Sequence, residues 1–162
     1  MANTAQAFGL IPAFQGTGQN RANKYTILNN SGTGYSSSIY KGDIVALNTD
    51  GTINIIASPA NSAALGVFAG CEYIDATGKP VESAYWPAST AVQTGSQITA
   101  YVYDDPQIWY RVGTTTSNAS NYVQAALGDQ ATITNNGVGN TSTGLSTGSI
   151  ATAPVGAGVA GM

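Results

Sequence analysis

Three short apolar runs between Ser38 and Gly70 constrain this chain more than any other feature. They are Ile44–Leu47, Ile53–Ala57 and Leu65–Phe68, each four or five residues long. Runs that short and that rich in Ile and Val suit β-strands and fall short of helices. Asn48-Thr49-Asp50-Gly51 separates the first two. Asp-Gly between apolar runs is a hairpin signal, because glycine takes the positive φ that a tight turn requires. The stretch therefore predicts a hairpin followed by a third strand.

Further strands follow by the same logic. Tyr25–Leu28 is a short β-like run, and Asn29–Gly34 and Ser58–Ala64 read as loops. Cys71–Asp75 and Val81–Pro87 flank a turn at Ala76–Pro80, which predicts a second hairpin. Ile98–Asp104 alternates, with Ile98, Ala100 and Val102 on one face and Thr99, Tyr101 and Tyr103 on the other, the pattern of a half-buried strand. Asp104-Asp105-Pro106 breaks it, and Ile108–Val112 is the next strand. Residues 113–121 form a polar loop, and Tyr122–Leu127 fits either one helical turn or a strand.

The ends differ from this middle. Residues 1–20 set Phe8, Leu10, Ile11 and Phe14 among small and polar residues, and Pro12 forbids a helix through them. They read as an extended arm with two aromatic anchors, which either docks on another subunit or tucks onto its own domain. From Gln130 to Met162 there is no charged residue. That segment reads either as a partly disordered tail or as one ordered by packing on neighbouring subunits. The expected organisation is an arm at 1–20, a β domain at 21–128 and a Gly/Thr/Ser-rich segment at 129–162. The expected fold class is all-β.

Composition narrows the function. Charged residues make up 8 % of the chain, against about 25 % in an average soluble domain. Few charges mean little to desolvate when a surface is covered by neighbours. Arg21, Lys24, Lys41, Lys79 and Arg111 are scattered and the net charge is −3, so no cationic track for nucleic acid is expected. The absence of histidine removes the commonest general base and metal ligand. Cys71 is the sole cysteine, so no intrachain disulfide can form, and a small buried apolar role is expected for it. The N-terminal residues lack the pattern of a signal peptide, and no apolar run reaches the about 18 residues of a membrane span. The expectation is a soluble chain made in a cytosol, with no membrane partner.

Candidate chemistry is sparse. Asp104-Asp105 is the only adjacent carboxylate pair, Glu72 and Asp75 flank one strand, and Asp43 and Asp50 bracket another. General acid–base work needs two carboxylates in unlike environments converging on one pocket, and Asp104-Asp105 and Asp50 read more simply as turn residues. No calcium loop, phosphate loop or glycosidase carboxylate motif is present. Asn-x-Ser at Asn29, Asn118 and Asn140 is the chance product of a Ser/Asn-rich chain. No catalytic residue, metal site or cofactor is expected. Tyr73, Tyr85, Trp86, Tyr101, Tyr103, Trp109 and Tyr110 fall close together; they read as core or subunit-interface aromatics, with stacking on sugars as the alternative use.

These motifs also carry a resemblance. KGDIVALNTDGTI, a spacer and then ALGVFAG are similar to the repeated theme of small bacteriophage head-decoration and capsid-cementing proteins. The likeness is strongest in GCEY (Gly70–Tyr73), TGKP (Thr77–Pro80), YWPA (Tyr85–Ala88) and AYVYDDP (Ala100–Pro106), with MANTAQAFGLIPAF at the N-terminus, and it covers residues 1–112. The resemblance implies a non-enzymatic structural virion protein on the outside of an icosahedral capsid, made in the host cytoplasm. It implies a compact β-tulip or jelly-roll-like sandwich or barrel with an extended N-terminal arm. Its implied partners are the major capsid protein and further copies of itself, as a homotrimer. Phe8, Leu10, Ile11 and Phe14 would be the capsid contacts, and Tyr85, Trp86, Tyr101, Tyr103 and Trp109 the subunit-interface or core aromatics. Removing residues 1–16 would then abolish head decoration and leave a folded domain. A carbohydrate- or receptor-binding β module on the virion surface is the alternative.

Overall fold

The computed structural model describes residues 7–16, 18, 20–29, 33–56, 63–114 and 133–150. Among these there are strands and no helix: the fold is all-β. The strands are β1 (Ile11–Gln15), β2 (Asn23–Ile27), β3 (Ile44–Leu47), β4 (Thr52–Ile55), β5 (Ala64–Ile74), β6 (Pro80–Ser83), β7 (Ile98–Tyr103), β8 (Ile108–Arg111), β9 (Gly113–Thr114), β10 (Ile133–Thr134), β11 (Gly139–Asn140), β12 (Leu145–Ser146) and β13 (Ser149–Ile150).

The central hairpin forms as its sequence requires. β3 and β4 pair antiparallel, Val45 opposite Ile55 and Leu47 opposite Ile53. Gly51 turns the chain at φ 82°, and Asp50 Oδ1 accepts from the Thr52 amide at 2.9 Å and its hydroxyl at 2.7 Å. The hairpin of β5 and β6 repeats the device, with Asp75 Oδ1 accepting from the Thr77 amide and hydroxyl and from the Lys79 amide. An aspartate two residues before a threonine thus fixes both turns by satisfying local donors.

The main sheet runs β3-β4-β2-β7-β5-β6, and β3 also pairs with β5, so five strands close into a ring with β6 as a wing on β5. The β2–β4 pairing is parallel and the other pairings around the ring are antiparallel. Closure removes the open edges that an unclosed sheet would expose. At eleven residues β5 is long enough to serve both, pairing β3 through Ala64–Val67 and β6 through Cys71–Ile74. Gly66 lies at the closure point, opposite Val45, where a Cβ would stand 2.2 Å from the Tyr103 carbonyl oxygen.

Period-two alternation fills the ring. Ile98, Ala100 and Val102 are buried while Thr99, Tyr101 and Tyr103 are partly exposed, as the alternation predicts. They join Ile27, Val45, Ile53, Phe68 and Cys71 in one apolar cluster that also takes in Ile39, Tyr73, Trp86 and Val92. Trp86 is fully buried, lies edge-to-face against Tyr73 at 5.1 Å, and donates its indole N–H to Tyr35 O at 3.0 Å.

Both end regions fold onto this body. β1 pairs with β8 rather than extending free. Within the uncharged C-terminal stretch, β11 and β12 form a hairpin, and β13 pairs with β10 and, in parallel, with β9. Residues 133–150 are therefore ordered against the chain's own barrel, an arrangement that neither sequence reading of this segment described. Tyr122–Leu127, the rest of the 113–121 loop beyond Thr114, and residues 151–162 lie outside the described residues.

Candidate functional site

The acids scatter to separate structural duties. Asp104 accepts from Asn23 Nδ2 at 2.8 Å and Tyr25 Oη at 2.5 Å. Burial raises its pKa, but those hydrogen bonds outweigh the burial and leave it below the ordinary value. Asp105 turns the other way, to Gln15 Nε2 and the Gln107 amide. Glu72 accepts from Tyr101 Oη at 2.6 Å and lies 3.7 Å from Lys24 Nζ, an exposed pair worth little in water. No group of three His, Cys, Asp or Glu among the described residues is placed to hold a metal. Cys71 is buried in β5, and burial pushes its thiol up to about 12, far from the thiolate that reactivity needs.

Asp43 is the one fully buried acid among the described residues. Its Oδ2 accepts from the Tyr40 amide at 2.7 Å, and its Oδ1 from the Gly137 amide at 3.1 Å and Ser146 Oγ at 2.5 Å. The turn it closes gathers both end regions. Gly42 takes φ 96° and lies so close to Gly9 and Leu10 that its O accepts from the Leu10 amide at 2.9 Å. Lys41 exchanges backbone hydrogen bonds with Gly144 and Ser146. In the sequence Asp43 is only an acid bracketing a strand; its partner Ser146 lies 103 residues away, and nothing local signals the contact.

Burial raises the pKa of Asp43, against its hydrogen bonds, which lower it. Asp50 and Asp75 are lowered, first by side-chain hydrogen bonds from Thr52 and Thr77. The signs are opposite. A raised folded pKa means the native state holds the proton better, so Asp43 costs stability as pH climbs from the ordinary Asp value through its folded pKa. Lowered values contribute stability that is lost as pH falls below the ordinary Asp value. The thermal midpoint is therefore expected to pass through a maximum in mildly acidic buffer, and Asp43→Ala to flatten the limb above it. A midpoint measured against pH for parent and variant checks both limbs.

The surface feature that stands out is apolar. Ile11, Phe14 and Trp109 are 42 %, 60 % and 72 % exposed, large fractions for such side chains. All three lie on the ribbon of β1 and β8. Ile11 faces Arg111, Pro12 faces Tyr110, Phe14 faces Trp109 and Gln15 faces Ile108, with an irregularity between Pro12 and Phe14. In a regular strand residues three apart point to opposite faces; the extra residue Ala13 restores Ile11 and Phe14 to the same one. Gln15 and Ile108 point inward and are buried, while Phe14 and Trp109 meet edge-to-face outside at 6.4 Å. Tyr110 braces the ribbon by donating its hydroxyl to Tyr103 O at 3.2 Å.

The other candidate residues are distributed around the molecule. Phe8 and Leu10 are partly buried, and Leu10 lines a cleft between ribbon and barrel with Ile44, Leu65, Val67 and Ile108. Tyr85 stacks on Tyr40 at 5.3 Å, Tyr101 lies on the outer face of β7 under Lys24, and Tyr103 is partly buried beside the ribbon. The aromatics that cluster in sequence therefore divide into a core group around Trp86, a surface group on the sheet, and the ribbon residues Tyr110 and exposed Trp109, the latter meeting Phe14 from the other strand. Comparison of the chain with protein-family models, with curated proteins and with solved structures finds no match.

Proposed function

We propose that this chain is a structural virion protein that decorates and cements the outside of an icosahedral phage capsid, assembling there with further copies of itself as a homotrimer and touching the major capsid protein. The observation that carries the reading is the outward face of the ribbon. Ile11, Phe14 and Trp109 present a contiguous apolar surface, with Arg111 beside it, on a body that carries few charges. Exposed apolar patches of this kind mark interaction surfaces, and Trp and Arg are the residues most often found at the energetic centre of such contacts. Two of the four residues assigned to the capsid contact, Ile11 and Phe14, lie on that face. Repetition of one modest contact over many capsomers gives avidity, so such a protein resists rupture of the shell without any chemistry of its own.

Deleting residues 1–16 would uncover the buried side of β8 as well as remove the apolar face. Phe14→Ser with Trp109→Ser changes the face alone. Because both side chains are exposed, stability is expected to move by only about 0.5 kcal/mol. Co-sedimentation with heads assembled from the major capsid protein of the same phage is expected to weaken on the order of 30-fold, as loss of two central aromatics implies. Undiminished binding of the doubly substituted protein sinks the assignment. The exposure of Trp109 also favours a second reading, a carbohydrate-binding module that stacks a sugar ring on the indole; binding to a glycan array that is lost with Trp109→Ser, without binding to heads, would establish it instead.

A further inference from the structure

The chain contains one Asn-Gly step, Asn136-Gly137. Such a step is chemically labile wherever the backbone is free, because glycine has no side chain to hinder attack by its own nitrogen. The Gly137 nitrogen attacks Asn136 Cγ and gives up its proton, the Cγ–Nδ2 bond breaks, and ammonia leaves. Water then opens the resulting succinimide to aspartate or isoaspartate. Nothing is oxidised or reduced, and water is the only co-reactant.

In the fold both reacting groups are already engaged. Asn136 Nδ2 donates to Ile44 O and Ile56 O, each at 2.9 Å, while its Oδ1 accepts from the Ile44 amide at 2.8 Å. The side chain thus imitates a strand backbone, filling a place beside the β3–β4 hairpin. The attacking nitrogen is held as well, since the Gly137 amide donates to Asp43 Oδ1. Asn135 and Gly137 stand at φ 59° and 81°, so the step sits in a turn whose backbone is fixed on both sides. The reaction product does not fit this seat. A carboxylate at position 136 has no donor for the Ile44 and Ile56 carbonyls and would face them with like partial charge.

We infer that Asn136-Gly137 is a modification site masked by the native fold and unmasked when residues 133–150 lift from the barrel, so that lifting, once followed by deamidation, is irreversible. This inference is independent of the proposed role on a capsid. Peptide mapping by mass spectrometry of the full chain, kept in mildly alkaline buffer with and without urea, measures it. Deamidation of Asn136 in the native protein is expected to run about 100-fold slower than in urea, the ratio set by the opening equilibrium of the segment. Ser146→Ala, which removes one partner of Asp43, is expected to speed the native reaction and leave the rate in urea unchanged. Deamidated chain returned from urea is expected to refold without recovering the parent's unfolding midpoint. Equal rates in the native and unfolded parent, or full recovery of the midpoint after deamidation, would overturn the inference.

Discussion

Asp43→Ala is expected to lower the stability of the folded chain by about 3–5 kcal/mol, as a shift of the urea midpoint at constant slope. The carboxylate is fully buried and is the acceptor for the Tyr40 amide, the Gly137 amide and the Ser146 hydroxyl. Alanine leaves those three donors facing apolar surroundings, each at a cost of about 1–3 kcal/mol, while relieving the burial of a charge. Asp43→Asn tests whether shape alone suffices. One oxygen takes the Tyr40 amide and the other takes the Gly137 amide, so either orientation of an asparagine sets its NH2 against a backbone N–H. Only the serine hydroxyl can turn to suit. The asparagine variant is therefore expected to lose most of what alanine loses, about 2–4 kcal/mol. An asparagine variant as stable as the parent would show that the carboxylate is not the acceptor described here.

Gly66→Ala is expected to cost at least about 3 kcal/mol, an unusually large penalty for one methyl group. The added carbon would lie 2.2 Å from Tyr103 O and 2.9 Å from both Tyr103 C and Val102 Cγ1. Backbone on the neighbouring strand cannot rotate away as a side chain would, so β5 and β7 must part where β5 also meets β3. Gly51→Ala supplies the comparison. Its φ of 82° disfavours alanine, but nothing lies within 4 Å of the new carbon, so a loss of about 1 kcal/mol is expected. Equal losses at the two positions would mean that the ring is not closed at Gly66.

The sequence made the local half of this fold legible. Asp50-Gly51 between two Ile/Val runs gave a hairpin, and the alternation from Ile98 gave the inward face of β7. Ring closure was not legible, because it depends on Val45 meeting Gly66 and on a parallel match of Thr26 with Thr52, which no local pattern encodes. The two tryptophans make the same point: Trp86 is buried to nothing and Trp109 stands almost clear, although both follow or precede a tyrosine in β-like runs. The order of residues 133–150 was hidden for a different reason. That segment is attached chiefly through Asn136, Ser146 and backbone groups rather than through a periodic apolar face, and hydrophobic periodicity is what sequence reading detects. At the docking face Ile11 and Phe14 were identifiable as apolar anchors, whereas their pairing with Trp109 required the bulge at Ala13 to be seen.

The turn at Lys41–Asp43 also sets a schedule for biosynthesis. Its carboxylate is made early, yet the hydroxyl that donates to it is translated 103 residues later. Once β7 has been made every strand of the ring exists, but the buried acid still lacks two of its three donors. The nascent chain accordingly passes through an incompletely sealed barrel, whose final locking waits until Gly137 and Ser146 have been added.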